Sequence, residues 1–557
     1  MEAQKLAELA AELGVSPLLA RLLWTSGREH ADLARPFLQP RLKSLGDPYA
    51  LPGMAAAVGR LELALARGEK MALYGDYDVD GVASLALLYR VFSALGAQVG
   101  CFLPHRMDEG YGLSEEGVTR CLKEHAPTLL LAVDCGTSSA ELIARIEAGG
   151  VDVIVLDHHE AGIGAPRCTA LVNPKAAPIP EADDDLKYLC SGGLAFKLCH
   201  ALLKRRENRE IDLRDYLDLV ALATVSDLAD LEGENRILVQ AGLARLAYSR
   251  WPGVTALAEV AGVAPPYRSQ DLAFKLGPRL NAAGRLDSAQ AALDLLLTDD
   301  MRTAQRLAKI LDTHNRERQN VESDVLDQAL AMVEENGWGS GPAIVVGAEG
   351  WHQGVLGIVA ARLMRKYHRP AFVIGFEEAG LGKGSGRSIE GFPLVEALAA
   401  CAKLLVKFGG HDRAAGLSIE RHQLEIFREQ FIALALAGLT PEHLRPRLRI
   451  GAEVQLAELH MGFLDEHEAL QPFGQCNPRP LLCAKGVRLH QPPGVMAQKH
   501  SKLELAQGRE RRTAMYFNVL PTQLPPQPWD VAFAIEPNKW NGTVKLQLTI
   551  EDIRPAQ

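Results

Sequence analysis

At 557 residues the chain is longer than a single hydrophobic core supports, so several domains are expected. Hydrophobic residues make up 47% and charged residues 23%, an ordinary globular balance, and the formal net charge of -9 argues against a generally basic nucleic-acid coat while allowing a local basic groove. Nine cysteines without a Cys-x-x-Cys pair argue against a disulfide framework or a zinc cluster, and no run of about 20 apolar residues or signal-like N-terminus points to a membrane or to export, so a cytoplasmic setting is expected.

Residues 1–54 read as short helices that end in the turn-rich Gly46-Asp47-Pro48. From 55 to 235 apolar runs alternate with helical patterns, the signature of a doubly wound α/β domain. Three of its runs finish in metal-ligand residues. Met71-Ala72-Leu73 leads into Tyr74-Gly75-Asp76-Tyr77-Asp78-Val79-Asp80-Gly81, with three carboxylates at alternate positions. Leu129-Leu130-Leu131-Ala132-Val133 meets Asp134, and Val153-Ile154-Val155-Leu156 meets Asp157-His158-His159. A segment from Tyr216 to Ala229, apolar at helical spacing, delivers Asp227.

Each piece alone is ordinary, since Asp-x-Asp is common in turns and His-His after a strand is more often a surface pair. Together they describe one site at the carboxyl edge of a parallel sheet. Carboxylates this close repel unless a cation sits among them, and hard oxygen ligands suit magnesium or manganese. Asp78, Asp80, Asp134, His158 and Asp227 can hold two divalent ions, with Asp134 suited to bridge them. The imidazole tilts the choice slightly towards manganese. His159 is suited to donate to a phosphate oxygen, and Asp157 to orient an imidazole. Two ions a few ångströms apart activate water and stabilise the leaving oxygen of a phosphoryl displacement.

Residues 236–340 read as helical. Within them Met301 to Glu335 has neither Pro nor Gly, and His314, Asn315 and Arg318 interrupt its apolar stripe, as in a helix that joins two lobes. Gly277-Pro278-Arg279-Leu280-Asn281 with Arg285 reads as a compact polar turn, either solvated or phosphate-binding. A second α/β unit, 341–445, opens at Ala343-Ile344-Val345-Val346-Gly347 and carries the Gly-rich segments Gly382 to Ser388 and Phe408-Gly409-Gly410-His411. Each is equally a plain turn or a cradle of backbone amides for phosphate, to which Ser385 and Arg387 add a hydroxyl and a fork. Residues 446–557 alternate with a period of two through Val531, Phe533, Ile535 and again through Val544, Leu546, Leu548, Ile550, so a small β domain closes the sequence. Its basic run Lys499, His500, Lys502, Arg509, Arg511, Arg512 is either a solvated face or a groove that tracks a strand.

Gly75 to Gly81, Val133-Asp134-Cys135-Gly136, Asp157-His158-His159 and then Asp227 resemble the successive motifs of the DHH phosphoesterase superfamily, most of all its bacterial single-strand-specific exonucleases. Pro104-His105-Arg106 with Glu109 to Leu113, Gly277 to Arg285, and Trp351 to Val355 support the likeness. Phe408 to His411 resembles the signature of the DHH-associated domain, and Pro472-Phe473-Gly474 with Asn477-Pro478 the entry to an oligonucleotide-binding barrel, where Cys476 departs from the more usual glycine. The resemblance implies two α/β lobes, a DHH domain and a DHH-associated domain, joined by a long helix and followed by an OB-like β-barrel. It implies 5′-to-3′ degradation of single-stranded DNA to mononucleotides with Mn2+ or Mg2+. It adds Asp76 to the ligand set, puts His159 on the scissile phosphate, and makes Arg106, Arg279, Asn281, Arg285, Ser385, Arg387, Gly409, Gly410, His411 and Lys502 substrate-binding groups. Two lobes enclosing a strand in a cleft too narrow for duplex would select single strands. A helicase and a single-strand-binding protein are sensible partners. The alternatives are a phosphoesterase of short oligoribonucleotides or small nucleotides, which needs only the two lobes, and an inactive replication scaffold, which would lack part of the acidic set.

Overall fold

The structure is a computed structural model and describes residues 2–104, 112–160, 164–286, 289–540 and 542–556. The chain divides into two compact units, one formed by Met1–Gly277, Leu293–Ala304 and Leu448–Gln557, the other by Pro278–Ala292 and Gln305–Arg447.

The first unit begins with helices α1 (Glu2–Leu13), α2 (Pro17–Thr25) and α3 (Ala31–Leu38). A five-stranded sheet follows, built from β1 (Lys70–Gly75), β2 (Gln98–Phe102), β3 (Leu129–Val133), β4 (Asp152–Leu156) and β5 (Ala170–Val172) in the order β2-β1-β3-β4-β5. Every pairing is parallel. All five residues of β3 are buried, as expected for a strand covered on both faces. Helices α4 (Val79–Ala94), α5 (Ser191–Arg205), α6 (Leu217–Ser226) and α7 (Gly233–Leu246) belong to the same unit. The winding reverses between β1 and β3, the place where doubly wound sheets open a crevice at their carboxyl ends.

The second unit holds a mixed sheet of β6 (Ile344–Glu349), β7 (Ala371–Phe376), β8 (Leu381–Arg387), β9 (Leu405–His411) and β10 (Ala414–Glu420), ordered β6-β7-β8-β10-β9. Only β6 and β7 run parallel. Both expected Gly-rich loops are therefore strands. In β8 the glycines and the polar residues alternate across the sheet, and a Cβ at Gly382 or Gly386 would stand 2.5 Å from Phe376 or 2.4 Å from Phe372. The glycines thus make room for aromatic rings on one face, while Lys383, Ser385 and Arg387 project from the other. The segment from Gly277 is likewise not a turn but the helix Gly277–Leu286. It runs on without a break from Ser269–Asp271 and the π-helical turn Leu272–Leu276, and Pro278, which has no N–H to donate, falls just after that wider turn.

The long helix α8 spans Met301–Glu335 as expected. Two of the polar residues in its stripe pair within the helix, Arg318 donating to Asn315 at 3.1 Å and to Glu322 at 2.8 Å, and Arg362 from outside the helix reaches Glu322 at 2.5 Å.

The C-terminal strands, back in the first unit, are β11 (Ile450–Glu453), β12 (Leu481–Leu489), β13 (Gly494–Met496), β14 (His500–Gln507), β15 (Glu510–Tyr516), β16 (Trp529–Trp540) and β17 (Thr543–Pro555). They form one curled sheet, β11-β12-β16-β17-β15-β14-β13, in which β12 also meets β14 through two residue pairs, so the barrel is not fully closed. Helix α9 (Met461–Glu468) packs with this sheet. The N-terminal helices share its core: Leu18, Leu19, Leu22, Leu23 and Phe37 pack with Phe463, Trp529, Val531 and Phe533. The first and last segments of the sequence are one hydrophobic body.

Candidate metal centre

Three strand ends and one helix end converge at the carboxyl edge of the parallel sheet. Asp76 and Asp78 follow β1, and Asp78 caps α4, its Oδ1 accepting from the N–H groups of Asp80 at 2.9 Å and Gly81 at 3.2 Å. Its second oxygen remains available to an ion. Asp80 lies in the first turn of that helix, Asp134 directly after β3, His158 and His159 just beyond β4, and Asp227 at the C-terminal cap of α6. Asp134 holds φ at +63°, a conformation that non-glycine residues adopt rarely and Asp more readily than most.

Ligand atoms of Asp76, Asp78 and Asp134 lie within 4.8 Å of one another, as do those of Asp80, His158 and Asp227, and those of Asp134, His158 and His159. The first two groupings are therefore linked through Asp134 and His158. His158 Nε2 is buried without a hydrogen-bond partner and faces Asp134 at 3.4 Å and Asp80 and Asp227 at 3.7 Å each. An imidazole nitrogen aimed at three carboxylates without bonding any of them is what an ion between them requires. All six expected ligands are brought together, and the donor set fits two hard divalent cations.

Electrostatics point the same way. Burial, followed by Asp80 and its neighbours, pushes the Asp134 carboxyl well above its usual range. Burial with Asp80 and Asp78 raises Asp227 to about 9, and burial with Asp78 raises Asp80 to about 6. Burial, then His159, lowers His158 to about 3. Without a cation the cluster can shed its mutual repulsion only by taking up protons, and a divalent ion removes the need.

Asp157 plays a different part. It accepts from the amides of Thr137 at 3.0 Å, His158 at 2.8 Å and His159 at 3.2 Å, and from His159 Nδ1 at 2.7 Å. Burial works to raise its pKa, but these bonds and the His159 charge hold it below the usual carboxylate range. His159 is raised in turn: burial opposes its charge, but the Asp157 hydrogen bond and the charges of Asp157, Asp80 and Asp78 together outweigh burial. Asp157 thus fixes the His159 ring and favours its protonated form. Asn173, fully buried, donates to His159 O at 2.9 Å and Thr137 Oγ1 at 2.8 Å and ties the loop down. Thr137 and Asn173 escaped the sequence reading, because neutral residues at strand ends carry no charge pattern to notice.

In the second unit the β8–β10–β9 register aligns Arg387, Ala414 and His411 in one row and Ser385, Gly416 and Gly409 in the next, with Gly410 opposite Ala415. Ser385, Arg387, Gly409, Gly410 and His411 are therefore one cluster. Arg387 Nη1 donates to Ser385 Oγ at 3.2 Å, and burial lowers the guanidinium pKa. Arg279 is paired with Asp312 of α8 at 2.9 Å, and Asn281 lies two residues further along the same helix as Arg279. Arg106 and the side chain of Arg285 lie outside the described residues. On the β domain Lys502 is exposed on β14, while Arg512 turns back to donate to Leu459 O at 2.7 Å. Arg512 is thereby tied to the backbone, while Lys499, Lys502 and Arg509 are exposed. Cys476, the departure noted in the sequence, has φ +57°, the backbone conformation for which glycine is more usual.

Comparison with known proteins agrees with this geometry. Residues 70–224 match the DHH family, N-terminal domain; 340–436 match the DHHA1 domain; 450–552 match the RecJ OB domain. The chain is 35% identical over 554 residues to the single-stranded-DNA-specific exonuclease RecJ of Bacillus subtilis, covering 98% of this chain and 69% of that protein. Crystal structures of RecJ from Thermus thermophilus superpose on all of the chain: the Mn2+ complex with a TM-score of 0.86 at 32% identity over 78% of its own length, and the Mg2+ complex with 0.79 at 30% over 77%. With three domain matches in sequence and this likeness along its whole length, the chain belongs to the RecJ family of single-stranded-DNA-specific exonucleases.

Proposed function

We infer that the protein is a metal-dependent hydrolase that digests single-stranded DNA, in DNA repair and recombination, and that it works from the 5′ end and releases mononucleotides. The observation that carries this is the pair of ligand groupings, Asp76/Asp78/Asp134 and Asp80/His158/Asp227, linked by Asp134 and His158. Mn2+ or Mg2+ is the cofactor, and when bound the two cations supply Lewis acidity to the scissile phosphodiester and lower the pKa of water.

The chain's own residues do the rest. Asp157 holds His159 in its ring orientation and favours the imidazolium, which in our reading donates to a non-bridging phosphate oxygen. Ser385, Arg387, Gly409, Gly410 and His411 are assigned to the DNA phosphates, with Arg279 and Asn281 in support. Lys502 on the β domain is assigned to the incoming strand. A phosphoesterase of short oligoribonucleotides has no use for that domain, and an inactive scaffold no use for the full acidic set. A helicase and a single-strand-binding protein are proposed as partners, since the substrate must first be unwound. A cytoplasmic setting is part of the reading: the nine cysteines are free thiols, and among the described residues no helix is long and apolar enough to cross a membrane.

Digestion of one long strand, labelled separately at each terminus and incubated with and without Mn2+, tests the reading. The 5′ label is expected first and as a mononucleotide, only with metal. First release of the 3′ label overturns the polarity, and hydrolysis of a dinucleotide as fast as of the long strand overturns the substrate class.

A further inference from the structure

Helix α5 opens on Ser191-Gly192-Gly193, and no side chain of its own caps it. Its first-turn amides bond instead to Asp80, remote in sequence: Ser191 N donates to Asp80 Oδ2 at 2.8 Å, and Gly192 N to Asp80 Oδ1 at 2.7 Å. Both oxygens of one carboxylate are thus held by consecutive amides, so the plane of that carboxylate is locked to the helix axis. The Ser191 hydroxyl donates to a second acid, Asp134 Oδ1, at 2.9 Å, and Ser191 is fully buried. One residue therefore fixes two acids that come from different elements, α4 and the end of β3. The helix also approaches as closely as a backbone can. A Cβ on Gly192 would stand 2.4 Å from the Ala223 Cβ and 3.3 Å from Asp80 Oδ1.

We propose that Ser191 and the Gly192 amide are positioning residues, which set the spacing of Asp80 and Asp134 and thereby the affinity of this chain for its divalent ions. The proposal rests on the two-cation reading of the site. The Ser191 hydroxyl consumes one lone pair of Asp134 Oδ1 and denies that carboxylate free rotation, so its remaining lone pairs point in fixed directions. Mg2+ demands near-ideal octahedral geometry, so it depends on such fixing more than a softer, imidazole-tolerant ion does.

Mn2+ and Mg2+ titrations of the full-length protein by calorimetry, with Mn2+ electron paramagnetic resonance as a second readout, test this. Ser191→Ala is expected to weaken Mn2+ binding about 10- to 100-fold, the usual effect of removing a group that orients a metal ligand, with a larger loss for Mg2+. Its kcat at saturating Mn2+ stays within about threefold of the parent, so the defect appears in the metal requirement. Gly192→Ala weakens Mn2+ binding as well, and Ala223→Gly added to it restores the affinity by clearing the contact. Melting in EDTA reports folding. Should Ser191→Ala fold poorly, the Gly192→Ala and Gly192→Ala/Ala223→Gly pair decides alone. Mn2+ affinity within twofold of the parent in a folded Ser191→Ala overturns the proposal, as does an Ala223→Gly addition that restores nothing. A parent protein that binds no Mn2+ overturns the two-cation reading itself.

Discussion

Replacing Arg236 by Met is expected to loosen the first unit at a point remote from the metal centre. Arg236 stands in the first turn of α7 and is 2% exposed. Its Nε donates to Phe37 O at 2.7 Å, and its Nη2 to Ala469 O at 3.3 Å, Leu470 O at 3.1 Å and Gln471 O at 2.6 Å. Those carbonyls sit at or just beyond the C-terminal ends of α3 and α9, where helix carbonyls lack intrahelical partners and a cation is favoured. The guanidinium also lies 3.6 Å from the centre of the Phe37 ring, and Arg28 lies 3.7 Å from it. Burial, with Arg28, lowers the Arg236 pKa to about 9, so the charge is held at a cost that its acceptors offset. Methionine keeps the length and removes the donors. Leu470 O keeps its bond from Asn477 Nδ2 at 2.9 Å, which leaves Phe37 O, Ala469 O and Gln471 O without a donor. Leaving a buried acceptor unsatisfied costs roughly 1–3 kcal/mol, so these three put the loss between about 3 and 9 kcal/mol. Relief from desolvating one charge fewer, and some thioether packing, bring the expected value to the low end, about 3 kcal/mol. Calorimetry should show the transition of this unit several degrees lower, with Arg236→Lys between the two. A midpoint unchanged in Arg236→Met would refute the assignment of Arg236 as the tie between α3, α7 and α9.

Asp134→Asn keeps an acceptor for Ser191 and tolerates the positive φ, yet it is expected to lower the nuclease rate by more than about 100-fold. Strand binding in a gel-shift titration should persist, and equal loss of both in a folded variant would count against a metal role. Deletion of 446–557 is expected to yield insoluble protein, because it bares Leu18, Leu19, Leu22, Leu23 and Phe37. Removing residues 1–40 as well should recover soluble material, as measured by gel filtration. Asp218 is buried and accepts from the Ser249 hydroxyl at 2.5 Å. Burial raises its pKa from 3.8 to about 6, so the stability it contributes is complete below about 4 and is lost as pH rises through about 6. Asp218→Asn should therefore gain on the parent between pH 5 and 7, by on the order of 2 kcal/mol, in melts at stepped pH. A constant difference across that range would contradict the assignment.

The acids were legible because charge at the end of an apolar run is a local pattern, and Asp78, Asp80, Asp134, His158 and Asp227 each sit at such a point. The β8 glycines were misread for an equally physical reason. Glycine marks either a turn or a close approach, and only the third dimension reveals Phe372 and Phe376 opposite them. The helix at Gly277 was hidden by a Gly-Pro pair that also opens turns. Ser191, Thr137 and Asn173 act through single hydrogen bonds to residues distant in the sequence, for which no periodicity exists. The core shared by α2, α3 and the β domain was invisible for the same cause, since both apolar patterns were evident but their partnership was not.

That shared core bears on biosynthesis. Helices α2 and α3 leave the ribosome long before Trp529, Val531 and Phe533, which cover their apolar face. A nascent chain must carry a bare oily surface over that interval, the condition in which chaperone capture or misassembly competes with folding. Pairings this distant along the sequence also close slowly, so α2 and α3 gain their cover only once the β domain has been made.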